Sequence, residues 1–426
     1  MPDGSATAHL YRPKLATVLG EGYGLVSFRR DAVAALTVAI VALPLSMAIA
    51  VASGVSPDRG LYAAIVGGFL VSALGGSRFQ IGGPAGAFIV LVSATVAKFG
   101  VDGLLLTVLV SGAMLTLIGV MRLGSLIRYI PHAVTVGFTW GIGITIFASQ
   151  LKDLGGLTLA GAEPGPVVAK LAALGHALPT ISPAAFAIGA GSAVLIFALQ
   201  MKRPTWPGML IAVIGASAAA LLFKLPVETI GSHFGGIPQG LPMPRIPSMT
   251  AAQLIEILPA ALSFTLLGGI ESLLSAKVAD GMTGRKHRYN MEVVAQGIAN
   301  IASALFGGIS VTGTIARTAT NIRAGACSPV SGMLHAGFLL IFVLVAAPLA
   351  SFIPLSALAG VLVVVSWNMV EKGEFIRLLR EWHTAIVMIA TLGLTLIEDL
   401  TVGIVCGCAL AGLFAIFHRA VPAEEG

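Results

Sequence analysis

Two charged side chains stand where a charge is costly, deep inside long apolar stretches of this 426-residue chain. Arg317 lies in the apolar segment 311–325, one turn beyond Gly313. Glu271 lies at the middle of the segment 252–276, in the run Leu266-Leu267-Gly268-Gly269-Ile270-Glu271-Ser272-Leu273-Leu274-Ser275. An arginine at membrane depth costs roughly 2.5–3.5 kcal/mol on insertion scales, so it should face a cavity, an anion or a carboxylate. A carboxylate isolated in an apolar span favours its neutral form, which suits a proton carrier. With the hydroxyl of Ser275 one turn on, it could instead hold a small cation.

Two segments open with small residues. Gly82-Gly83-Pro84-Ala85-Gly86 begins the third apolar segment, 82–97, after the polar, extended-looking Ser77-Arg78-Phe79-Gln80-Ile81. Ser310-Val311-Thr312-Gly313 begins the tenth, 311–325, after Gly307-Gly308-Ile309. A helix that starts within a membrane presents unpaired N–H groups and the positive end of its dipole. Such a start is tolerated only beside a cavity or an anion, and two facing one another would make an anion site. The glycines could also serve close packing alone. They do not form a nucleotide loop, because no Gly-Lys-Ser/Thr follows.

The remaining polar residues read as structural. Asp280, Glu292 and Asn321 lie near span ends and are expected to tie loops together, Glu398 and Asp399 to sit solvated in a short external turn, and His132 and His335 to be packing histidines. Cys327, Cys406 and Cys408 lack zinc-site spacing. No Ser-His-Asp arrangement or metal-ligand cluster stands out, so the reading includes no enzyme, cofactor or metal site.

The elements that must position these residues are membrane helices. The chain is 56% hydrophobic and 10% charged, against roughly 25% charged residues in soluble domains. That much apolar side chain requires lipid as solvent. About fourteen apolar segments follow at roughly 20 residues per span, with the third and tenth too short to cross unaided. Of the 25 basic residues, only Arg59, Lys98, Lys152, Lys170, Lys224 and Arg245 fall opposite the termini, with Arg317 belonging to neither side. Residues such as Arg128 and Arg419 fall with the termini, so both termini are expected in the cytoplasm. The formal charge of +6 is then explained by loop bias rather than nucleic-acid binding. No cleavable signal peptide is visible.

The expected organisation is a cytoplasmic segment 1–30, a first half 31–223, an extracytoplasmic linker 224–251, a second half 252–418 and a tail 419–426. The polar-rich stretch 152–182 is expected outside as well. Gly86 and Gly313 have the same separation as Pro44 and Glu271, a weak internal repeat. With seven segments per half, the second half must enter inverted. Inverted repeats with interrupted segments at matching positions point to a transporter site.

The motifs resemble the sulfate permease (SulP) anion transporters, over residues 26–418. They are Pro44-Leu45-Ser46-Met47-Ala48, Gly54-Val55-Ser56-Pro57, Gly60-Leu61-Tyr62, Gly83-Pro84-Ala85-Gly86, Gly269–Ser275 and Gly308–Asn321. The resemblance implies an all-α polytopic membrane protein of fourteen segments in two inverted seven-segment repeats. It also implies core and gate domains, short strands before the half-helices of segments 3 and 10, and a homodimer. The implied anion site comprises Pro44, Ser46, Met47, Gly83, Ala85, Gly86, Ala87, Thr312, Gly313, Thr314 and Arg317. Glu271 and Ser275 match positions where relatives bind a coupling proton or sodium.

The chain departs from the family twice. Leu45 stands where many sulfate-type members have Gln, which weakens sulfate and leaves bicarbonate or a dicarboxylate such as fumarate open. Members usually continue into a cytoplasmic STAS domain, whereas this sequence stops at Gly426, the domain being absent or removed. The expectation is a proton-coupled anion symporter in a bacterial inner membrane, working by alternating access. An anion exchanger, a nucleobase permease and an uncoupled channel are the alternatives.

Overall fold

The structure, a computed structural model, describes residues 11–124, 131–161, 163–164, 166–204, 206–247, 250–398 and 400–420. Arg128, Asp399, the side chain of Arg419, and the end segments 1–10 and 421–426 lie outside the described residues. The first half runs α1 (Lys14–Gly20), α2 (Leu25–Ala52), α3 (Pro57–Tyr62), α4 (Gly68–Leu74), β1 (Gly82–Gly83), α5 (Ile89–Val120), α6 (His132–Gly155), α7 (Val167–Ala177), α8 (Pro183–Lys202) and α9 (Gly208–Leu222). A short α10 (Ile230–Phe234) follows. The second half runs α11 (Ala251–Thr283), α12 (Tyr289–Leu305), β2 (Thr312–Gly313), α13 (Ile315–Arg323), α14 (Val330–Ala350), α15 (Leu355–Met369), α16 (Lys372–Leu378), α17 (Trp382–Ile397) and α18 (Leu400–Ala420). Among the described residues, 7 helical stretches are long and apolar enough to cross a membrane.

The expected breaks fall where the sequence puts them. A π-helical turn at Ala63–Gly67 joins α3 to α4, and a 3-10 turn at Gly86–Phe88 leads into α5. The third and fourth segments share α5, interrupted at Gly100, whose φ of 70° only glycine adopts without strain. Close helix packing uses glycine as well. A Cβ on Gly112 of α5 would stand 2.7 Å from the carbonyl oxygen of Gly297 on α12, the small-residue contact typical of membrane interfaces.

Broken helices free backbone groups that lipid cannot satisfy, and buried side chains take them up. Asn300 brackets Val311, donating to its carbonyl at 2.7 Å and accepting from its N–H at 2.8 Å. Ser303 donates to Ile309 O at 2.7 Å, and Asn321 to Phe79 O at 2.9 Å. Glu292 accepts from Ser77 N at 2.9 Å. Glu292 and Asn321 thus tie the unwound segments themselves. Asp280 accepts from His287 N and faces His287 Nδ1 at 2.7 Å.

One expectation needs correction. His132 is not a packing histidine: it is half exposed and pairs with Glu374 at 3.1 Å, because α6 begins at the surface, where an imidazole keeps water. The polar-rich stretch 152–182 is partly helical. It holds α7, whose Lys170 is buried and reaches Glu163 at 2.7 Å and Ser149 at 2.5 Å.

The N-terminal segment clasps the same end of the bundle as the first break. Lys14 N donates to Gly75 O at 3.0 Å, Arg288 donates to Arg12 O, and Arg78 pairs with Glu21. The Arg78 guanidinium holds the Glu21 carboxyl below its ordinary value. Burial, with Arg288 and Arg78 nearby, pushes the Lys14 ammonium down. At the start of α2, buried Asp31 accepts from Tyr23 OH at 2.8 Å, from Cys327 N at 2.8 Å and from the Ser328 hydroxyl.

Candidate functional site

The two unwound segments meet at one place. β1 and β2 pair antiparallel, with Gly82 opposite Gly313 and Gly83 opposite Thr312. Each strand then turns into a helix, through Gly86 on one side and Ile315 on the other. Two helix N-termini, with their free N–H groups and positive dipole ends, are thereby set beside a shared two-strand core.

α11 holds this pair in place. Ser272 donates to Thr312 Oγ1 at 2.8 Å, because the Thr312 hydroxyl is itself committed to Gly268 O at 3.2 Å. Ser272 Oγ accepts in turn from Gly313 N at 3.2 Å. One turn on, Ser275 donates to Thr318 Oγ1 at 3.2 Å, which also accepts from Ile81 N at 3.1 Å. Thr314 donates to Ile81 O from both its N–H, at 3.0 Å, and its hydroxyl, at 3.2 Å. The hydroxyls that the sequence puts in the site are therefore largely engaged in holding the strands.

Arg317 is 1% exposed. Its Nη2 donates to Ser46 Oγ of α2 and to Pro84 O after β1, each at 3.2 Å. Its Nη1 lies in the space that a Cβ on Gly83 would fill. Gln80 occupies the corresponding space at Gly313 and donates to Ser272 O at 3.2 Å. Each strand's glycine thus makes room for a long polar side chain from the other half. Glu271 shares an electrostatic neighbourhood with Arg317, yet among the described residues the two form no ion pair, and Glu271 Oε2 has no hydrogen-bond partner.

Pro44 and Met47 lie buried along α2, with Ser46 on the side that meets Arg317. Ala85 and Ala87 are buried beside Gly86. Gly86 itself is half-buried and faces across to another set of helices: a Cβ there would meet Ile146 of α6 at 3.4 Å and Met369 of α15 at 3.5 Å. Sequence reasoning missed Gln80, Ser272 and Thr318. Ser272 and Thr318 sit among the quoted motifs, and Gln80 is a polar side chain two residues before a glycine pair, in the polar run that precedes the third segment.

Residues 28–391 match the Sulfate permease family. The chain belongs to that family. It is 42% identical over 398 residues to the putative sulfate transporter YvdB of Bacillus subtilis, covering 93% of this chain and 75% of YvdB. It is 31% identical to the bicarbonate transporter BicA of Picosynechococcus, covering 92% of this chain and 70% of BicA. Among solved structures, the transmembrane domain of a cyanobacterial BicA superposes with a TM-score of 0.78 at 29% identity, covering 91% of this chain and 98% of that one. SLC26A9 superposes with a TM-score of 0.88 at 19% identity, covering 97% of this chain and 69% of that one, a likeness of fold. This family member is thus a multi-pass membrane anion transporter with the helical fold that the resemblance implied.

Proposed function

We propose that the chain moves a small anion, such as bicarbonate, sulfate or a dicarboxylate like fumarate, across a bacterial inner membrane in symport with a proton. The observation that carries this reading is the β1–β2 pair, which sets two helix N-termini side by side with the Arg317 guanidinium wedged against one of them. Dipole ends and a fixed cation attract an anion strongly where water is excluded.

The cargo would lie at the openings of Gly86 and Ile315, flanked by α2 and α11. Pro44, Ser46, Met47, Ala85, Ala87, Thr312, Gly313 and Thr314 would shape this space, most of them through backbone and packing. Glu271, whose Oε2 has no hydrogen-bond partner among the described residues, is the group that takes up and releases the proton. Ser275 supports it indirectly, by fixing Thr318. Carrying a proton with an anion lowers the net charge moved through the low-dielectric interior.

The halves 31–223 and 252–418 act as inverted repeats joined by the linker 224–251. The antiparallel strand pairing supports this, since inverted halves must present their breaks head to head. Helices α2–α5 and α11–α14 form the core domain that carries the site. Helices α6, α8, α9, α15, α17 and α18 form the gate, which Gly86 meets at Ile146 and Met369. Both termini lie in the cytoplasm, and the working unit is a homodimer.

The test is uptake of labelled sulfate, bicarbonate and fumarate into proteoliposomes, with and without an inward proton gradient. Saturable uptake of one anion, driven by the gradient, is expected. Uptake that follows only a counter-anion identifies an exchanger, and uptake of uracil with no anion moved overturns the reading.

A further inference from the structure

Arg317 has a second neighbour that the transport cycle above does not use. His335 on α14 is 0% exposed, and neither Nδ1 nor Nε2 has a hydrogen-bond partner among the described residues. Helix register sets its level in the bundle. Asn321 on α13 donates to Ser331 on α14 at 2.9 Å. Arg317 lies one turn before Asn321, and His335 one turn after Ser331, so α13 and α14, joined by a short connection, bring these two to the same level. The Arg317 charge reaches the imidazole. A Cβ on Gly332, on the same stretch of α14, would stand 2.0 Å from Ser72 Oγ and 3.2 Å from Ile81. This side of α14 therefore faces the segment that enters β1.

Arg317 and His335 both carry unpartnered buried polar atoms. Besides the two ring nitrogens, Arg317 Nε and Nη1 lack partners among the described residues, and one turn away so does Asn321 Oδ1. Buried polar atoms in native proteins are nearly all hydrogen-bonded, to protein or to water. An imidazole supplies one acceptor and one donor, and a guanidinium supplies donors only. A water between them can satisfy both, since internal waters typically make two to four hydrogen bonds.

We propose that His335 is a positioning residue for Arg317: through a shared buried water, it holds the guanidinium turned toward Ser46, Pro84 and the anion. The anion-binding role of Arg317 is the reading on which this rests. His335 itself does not touch the cargo.

The test compares His335→Leu, His335→Gln and Arg317→Ala in proteoliposomes with wild type, using labelled sulfate, bicarbonate or fumarate. His335→Leu should raise KM about tenfold, the size of one lost charge-assisted hydrogen bond, with the melting temperature in detergent unchanged or higher. His335→Gln, which keeps a donor and an acceptor, should recover most of the affinity. Wild-type KM in His335→Leu overturns the inference. A fall in stability with KM unchanged does so too, since it marks a purely structural histidine.

A second measurement does not depend on transport. In ¹⁵N-histidine-labelled protein, the His335 imidazole signals, assigned by their loss in His335→Gln, should shift in Arg317→Lys and in Gly83→Ala. Signals unmoved in both variants overturn the inference even if no anion is carried. Loss of uptake in Arg317→Ala beside a normal His335→Leu removes only the His335 inference. Normal uptake in Arg317→Ala removes the anion reading of Arg317.

Discussion

The guanidinium of Arg317 occupies the space that a side chain at Gly83 would fill, although the two residues belong to opposite halves of the chain. Gly83 lies opposite Thr312 in the strand pair, and Arg317 follows in the first turn and a half of α13. The arginine thus reaches back across the pairing to donate to Pro84 O and Ser46 Oγ. Its position depends on a missing methyl group rather than on a salt bridge.

Gly83→Ala is therefore expected to displace the guanidinium while leaving the helices intact. A functional group misplaced by ~1 Å can cost a hundredfold in rate, so uptake should fall by about that factor. Proteoliposome uptake measured beside circular dichroism checks this. An alanine variant that transports normally would show that the wedge has no role in transport.

Glu271→Gln keeps the size and polarity of the side chain but cannot shed a proton. Uptake down an anion gradient should persist, whereas accumulation driven by a proton gradient should disappear. Parallel assays at fixed anion gradient, with and without a pH difference, separate the two. Full gradient-driven accumulation in the variant would remove Glu271 from the coupling step.

Asn300 is the anchor of the second break, making bonds to both Val311 N and Val311 O. Asn300→Ala leaves two buried backbone groups unsatisfied and should cost about 1–3 kcal/mol per group before relaxation. Thermal unfolding in detergent should register the loss, and Asn300→Asp should recover part of it, because a carboxylate still accepts from Val311 N.

The Glu21–Arg78 pair predicts a pH dependence outside the membrane. The Glu21 carboxyl is held below its ordinary value of 4.5 by Arg78. Its contribution is therefore complete above that value and fades as pH falls through the lower folded value. The pair is exposed on the Glu21 side, so the effect is small and screened by salt. The difference in melting temperature between wild type and Glu21→Gln should be present at pH 7, and should shrink below about pH 4.5 and in high salt.

Much of this protein is determined by sequence alone, because lipid imposes simple rules. Apolar length marks the spans, and glycine or proline in a short apolar segment marks where a helix must break. The motifs Gly83-Pro84-Ala85-Gly86 and Gly308–Arg317 were therefore legible as helix openings, and Arg317 and Glu271 as costly charges that need a purpose.

Only the tertiary structure decides what each polar group touches. Ser275 was read as a neighbour of Glu271, since i and i+4 share a helix face, but its hydroxyl goes to Thr318 of another helix. Arg317, expected to face a cavity, an anion or a carboxylate, has its guanidinium wedged against Gly83 and bonded to Ser46 and Pro84. Gln80 and Ser272 looked incidental until the strand register set Gly313 beside both. His132, read as packed, lies at the surface, whereas His335, read the same way, is wholly buried. Hydropathy fixes how deep a residue lies. Its partners are fixed by which helices cross at that depth, and those crossings depend on glycine contacts and strand pairing between residues more than two hundred positions apart.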